Sequence, residues 1–166
     1  MSKAFVAILM GSDSDFPVMK STVDVLKKLG VTCEVRVLSA HRTPEQTKAY
    51  IYDAEERGCQ VFIAAAGLAA HLAGNVAAHT LKPVIGVPMD GGPLQGMDAL
   101  LSTVQMPGGV PVATVAIGSA GAKNAGYLAA QILSVADVAL AERLIDERAA
   151  NAKAILEKDQ QLQSQL

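Results

Sequence analysis

Five times along this chain a short apolar run gives way to a small polar loop and then to residues with helical spacing. That alternation limits what the chain can become. Phe5–Met10 is apolar without a break, as a strand buried on both faces of a parallel sheet requires. Thr32–Leu38, Val61–Ala66, Pro83–Val87 and Val110–Ile117 read as four further strands. Between them, Val18, Met19, Val23, Leu26 and Leu29 recur with a helical period that Gly30 ends. Glu45–Glu56 reads as a helix closed by Gly58, a short helix starts at His71, and Met97–Val104 reads as another. A further helix runs from Gly118-Ser119 to about Val135. Strands alternating with helices in this way predict an α/β domain, a parallel sheet with a helical layer on each face. With 51% hydrophobic residues, 4% aromatic residues and no Trp, its core must be built from Ala, Val, Ile and Leu. At 166 residues this is one domain. It is expected over 1–136, with 137–166 a long polar helix that has little of its own domain left to cover and packs on a neighbouring subunit.

In open α/β sheets, ligands bind beyond the carboxyl ends of the strands, so the loops after the apolar runs carry the functional signal. Ser39-Ala40-His41-Arg42-Thr43-Pro44 follows the second run and opens a helix, with Thr43 at the N-cap position and Pro44 at the first turn. His41 can exchange a proton near neutral pH, and Arg42 can grip a phosphate or carboxylate. A capped helix start uses the same Thr43-Pro44 pair, so these residues alone leave both readings open. Gly11-Ser12-Asp13-Ser14-Asp15 precedes another helix N-terminus, where free amides and the helix dipole favour an anion. Ser12 and Ser14 add hydroxyl donors, and Asp15 suits sugar hydroxyls; capping by Ser14 or Asp15 is the alternative. The small residues of Gly67-Leu68-Ala69-Ala70-His71-Leu72-Ala73-Gly74 allow close approach of backbone, ligand or neighbour. His71 opens that helix and His79 lies near its end, where a cation complements the dipole.

Other functions are disfavoured. A net charge of -2 without a Lys/Arg run argues against nucleic acid as partner. The apolar N-terminal run is too short to span a membrane and has no signal-cleavage pattern. Cys33 and Cys59 are far apart and form no CxxC, which fits buried thiols in a reducing cytoplasm. No His/Cys/carboxylate cluster has metal-ligand spacing. Gly118-Ser119-Ala120-Gly121-Ala122-Lys123-Asn124 lacks the Gly-Lys-Ser/Thr ending of a P-loop. Its small residues Ala120, Gly121, Ala125, Ala129 and Ala130 suit close helix packing instead. A flavin site would call for aromatic residues in the loops, where Phe16 stands alone, and a response regulator needs an Asp where Ala64-Ala65-Ala66 ends the third strand.

Met10-Gly11-Ser12-Asp13-Ser14-Asp15, Ser39-Ala40-His41-Arg42-Thr43-Pro44, Ala69-Ala70-His71-Leu72 and Gln105-Met106-Pro107-Gly108-Gly109-Val110-Pro111-Val112 occur here in order. Over about residues 4–135 this ordered set resembles the bacterial class I N5-carboxyaminoimidazole ribonucleotide mutase family of purine biosynthesis. The resemblance implies a flavodoxin-like three-layer sandwich with a five-stranded parallel sheet. It also implies a homo-octamer in the cytoplasm, a ribonucleotide substrate, and no metal or organic cofactor. The reaction it implies moves a carboxylate from the exocyclic nitrogen of the aminoimidazole to ring carbon C4. His41 matches the family's catalytic base; Ser12, Asp15 and Arg42 match its substrate-binding positions. Ser14, Ser39, Ala40, Gly67, Ala70 and His71 complete the candidate substrate site. The related carboxylase, which uses free carbon dioxide, and a non-catalytic flavodoxin-like binding domain are the alternatives. The family's commonest form has glycine where Leu68 stands and proline where Ala73 stands, and Asp90-Gly91-Gly92 departs from its pattern. The Gly67–Gly74 segment and the Gln105–Pro107 turn are expected to wall the site.

Overall fold

The computed structural model describes residues 4–165. Its strands are β1 (Phe5–Met10), β2 (Thr32–Val37), β3 (Cys59–Ala66), β4 (Val84–Pro88) and β5 (Ala113–Thr114). The helices are α1 (Phe16–Lys28), α2 (Pro44–Glu56), α3 (Leu72–Ala77), α4 (Met97–Val104), α5 (Gly118–Ser134) and α6 (Val138–Gln163). The five strands form one parallel sheet in the order β2-β1-β3-β4-β5. This is the flavodoxin-like order, with the direction of winding reversing beside β1. The expected α/β fold is thus the observed one.

Alternation along the central strands builds the two cores. Val6, Ile8 and Met10 of β1, with Val61, Ile63 and Ala65 of β3, pack against α1, α5 and Leu140 of α6. Phe5, Ala7 and Leu9, with Phe62 and Ala64, face α2 and α3 through Tyr50, Ile51, Ala54, Leu72, Ala73 and Val76. Both faces of β1 are buried, which is why its sequence is apolar without alternation. Small residues bring helices close, as expected: Gly121, Ala125, Ala129 and Ala130 of α5 are buried, while Ala120 is exposed. On the other side, Gly86 of β4 lets α4 settle on the sheet. A Cβ there would lie 2.4 Å from Thr103 Cγ2.

Two expectations need correction. The run Val110–Ile117 is expected to be a full strand, yet only Ala113 and Thr114 pair with β4. Pro111 has no N–H to donate, and after Val115 donates to the Gly86 carbonyl (3.0 Å) the chain turns into α5. The thiols are not both buried. Cys59 is, and burial pushes it up to about 11, whereas Cys33 is half-buried on the edge strand.

That edge strand is blunted by charge. Arg57 forms a bidentate pair with Glu34, Tyr50 donates to Glu34 (3.1 Å), and Arg36 lies over the Tyr50 ring. Arg57 holds the Glu34 carboxyl below its usual range.

The start of α6 docks on its own domain. Leu140 is buried, Arg143 Nε donates to the Leu29 carbonyl (2.8 Å), and Glu147 accepts from Lys28 (2.6 Å) and Tyr127 (2.9 Å). From residue 148 to 165 every residue is exposed, including Ile155, Leu156 and Leu162. Among the described residues, no helix is long and apolar enough to cross a membrane.

Candidate active site

Because β1 lies between β2 and β3, the loops that leave these three strands gather at one end of the sheet. Together with the loop after β4 they enclose a cleft of about 770 Å³. This is where parallel sheets bind ligands.

The loop after β1 supplies Gly11, Ser12, Ser14 and Asp15. Asp15 occupies the N-cap position of α1 and Ser14 lies in the turn before it, but neither side chain caps a helix. Ser12 does so, for the single 3-10 turn Asp13–Asp15, accepting from the Ser14 amide (3.3 Å) and the Ser14 hydroxyl (2.9 Å). Desolvation by burial raises the Asp15 carboxyl, with the Asp13 charge adding to the rise and a hydrogen bond from the Ser12 backbone opposing it.

The loop after β2 supplies Ser39, Ala40, His41 and Arg42. It is braced internally. The Thr43 hydroxyl accepts from the Ser39 amide (2.8 Å) and donates to the Ser39 carbonyl (3.1 Å). Thr43 therefore occupies the N-cap position of α2 without capping it by its side chain. The Ser39 hydroxyl accepts from the Arg42 amide (3.2 Å). Arg42 crosses to the first loop, its guanidinium donating to the Gly11 carbonyl (3.0 Å). It is the one permanent cation among the residues lining the cleft.

The loop after β3 supplies Gly67, Leu68, Ala69 and His71. His41 Nε2 and His71 Nδ1 lie 2.8 Å apart with their rings edge to face, so a single proton is shared along that line. Each imidazole keeps its other nitrogen for a ligand. His79 stays outside the cleft, its Nδ1 2.8 Å from the Asn75 carbonyl at the end of α3.

Of the ten candidate residues, nine line this cleft. Ala70 does not. It is buried beneath the wall, its carbonyl accepting from Thr103 at 3.5 Å. The Gln105–Pro107 turn is also absent from the lining; Met106 packs instead near Gly74, where a Cβ would meet its sulfur at 3.3 Å.

The sequence and the fold are matched in known proteins. The family described as AIR carboxylase matches residues 5–154. The chain belongs to that family. Within what it resembles, the N5-carboxyaminoimidazole ribonucleotide mutase of Bacillus subtilis (strain 168) is 58% identical over 95% of this chain and 97% of its own. The protein of the same name from Thermotoga maritima is 51% identical over 95% and 91%. That from Escherichia coli (strain K12) is 52% identical over 93% and 91%. Among solved structures, Treponema denticola PurE superposes with a TM-score of 0.86 at 31% identity, covering 96% of this chain and 99% of that one.

Sequence reasoning about this AIR carboxylase family member missed several cleft residues. Val18, Ala66 and Met89 carry no chemical signature, and they reach the lining only through the packing of α1 and the exits of β3 and β4. Asp90, Gly91 and Gly92 stood out as departures from the family pattern without an assigned place; all three border the cleft. Of the other two departures, Leu68 sits on its wall in a left-handed backbone conformation, and Ala73 of α3 is buried in the core.

Proposed function

We propose that this chain is an N5-carboxyaminoimidazole ribonucleotide mutase, an isomerase of purine biosynthesis that forms 4-carboxy-5-aminoimidazole ribonucleotide. One observation carries the reading. His41, Arg42, Ser12 and Asp15 come from two loops to line one cleft, in a chain 58% identical to a protein of that name.

The reaction breaks a carbamate N–C bond and forms a C–C bond at C4. Carbon dioxide leaves the nitrogen, which takes up a proton. The electron-rich ring carbon then attacks the carbon dioxide, and the C4 proton must be removed. His41 is the group for that proton, and its pairing with His71 orients the ring. Arg42 and the Ser12 and Ser14 hydroxyls suit the ribose phosphate at the start of α1. Asp15 suits the ribose hydroxyls, while Ser39, Ala40 and Gly67 line the same space. No metal or organic cofactor is needed for these steps.

In this reading residues 1–136 are the catalytic domain. The exposed end of α6, with Ile155, Leu156 and Leu162, covers a neighbouring subunit of a homo-octamer. The enzyme acts in the cytoplasm. A second reading, carboxylation of aminoimidazole ribonucleotide by free carbon dioxide, is favoured by the family's description as AIR carboxylase.

Carbon labelling separates the two. Carbamate substrate carrying heavy carbon is supplied in excess unlabelled bicarbonate, and the product is weighed. A mutase passes the label to C4 with little dilution. Loss of nearly all label, with fast product formation from aminoimidazole ribonucleotide and modest bicarbonate, identifies the carboxylase.

A further inference from the structure

Leu68 is placed where neither its backbone nor its side chain would be expected to rest. It is one of two non-glycine residues with positive φ among the described residues, at φ 56°. A leucine there brings its Cβ close to the following carbonyl oxygen. Its side chain is large and apolar, yet 54% exposed on the wall of the cleft. Core packing therefore does not explain it.

Gly92, on the loop after β4, lies against that side chain. A Cβ on Gly92 would stand 2.4 Å from Leu68 Cδ2. The loops leaving β3 and β4 thus meet on the cleft wall as leucine on glycine. Backbone strain of this kind persists only where the surroundings hold it, and it concentrates at functional sites.

We propose that Leu68 is a positioning residue that seals the cleft across to Gly92 while carbon dioxide is free between the breaking of the N–C bond and the making of the C–C bond. The proposal rests on the mutase reading. Carbon dioxide carries no charge and forms no strong hydrogen bond, so polar groups hold it poorly. An apolar side chain closing the gap between two loops lowers its escape without touching the ribose phosphate. Leu68→Ala removes the seal and keeps the strained backbone, whereas Leu68→Gly removes both.

The labelling experiment is run with the parent, Leu68→Ala and Leu68→Gly, with carbonic anhydrase added so that escaped carbon dioxide is diluted at once. Label retained in product is expected to fall by at least about twofold in both variants. Affinity for the product nucleotide should stay within about threefold of the parent. Equal retention in parent and Leu68→Ala overturns the sealing role alone. A parent that itself retains no label overturns the mutase reading and this proposal with it.

Thermal melting tests the contact without reference to turnover. Leu68→Gly is expected to melt above Leu68→Ala, because glycine accepts positive φ. Gly92→Ala is expected to lower Tm less in the Leu68→Ala background than in the parent. Purely additive shifts would overturn the leucine-on-glycine contact, and Leu68→Gly melting below Leu68→Ala would overturn the strained backbone.

Discussion

Replacing Arg42 by alanine separates the two roles of its guanidinium. One is structural: it donates to the Gly11 carbonyl at 3.0 Å and ties the loop after β2 to the loop after β1. Its donor is charged although its acceptor is neutral, so that bond is worth up to about 1.5–3 kcal/mol, whatever ligand is present. The other role is toward an anion in the cleft, where a charge-assisted bond is worth about 1.5–3 kcal/mol. Losing one such bond weakens binding about 10- to 150-fold, and a bidentate grip doubles the free energy. The structural loss affects every ligand equally, so comparing two ligands cancels it. Calorimetric affinities of aminoimidazole ribonucleotide and of its nucleoside are measured for the parent and Arg42→Ala. The ribonucleotide is expected to lose at least about tenfold more than the nucleoside. Equal losses would mean that Arg42 holds the loops and not the phosphate.

His41→Asn is expected to cut turnover by about 10²-fold or more, the usual contribution of a general acid–base group, while ribonucleotide affinity changes by less than about tenfold. Turnover equal to the parent would remove His41 from the chemistry. Glu147 is held below the usual carboxylate range, chiefly by Lys28 and also by Tyr127, so its ion pair contributes stability above its unfolded value of about 4.3 and loses it as pH falls through the folded value. Glu147→Gln should therefore melt below the parent at pH 7, with the gap closing as the pH falls below about 4; a gap independent of pH would show that the charge is not what matters. Light scattering is expected to give about eight times the 17.2 kDa chain mass, and a monomer at micromolar concentration would contradict the assembly role given to the exposed end of α6.

Much of this protein is legible in its sequence because the relevant signals are local. The unbroken apolar run Phe5–Met10 needs two covered faces, and β1 ends where that run ends. Gly30 follows α1 at φ 70°, in the conformation its residue type permits. Met97–Val104 carries its own period and is α4 residue for residue. The loops bearing Ser12, Asp15, His41 and Arg42 could be singled out because a strand's carboxyl end followed by a helix start is written in consecutive residues.

Tertiary structure decided what depends on residues distant in sequence. The 2.8 Å approach of His41 to His71 spans thirty positions and follows from β1 lying between β2 and β3. Ala70 and His71 are neighbours in sequence, yet one is buried under Thr103 and the other opens on the cleft, because a chain entering α3 turns successive side chains in different directions. β5 shrank to two residues because pairing needs a partner in register as well as apolar character. Leu68 holds its left-handed backbone against Gly92, which arrives from another strand's exit. Hydrophobic period and turn chemistry are properties of a segment, whereas contacts between loops are properties of the strand order that brings them together.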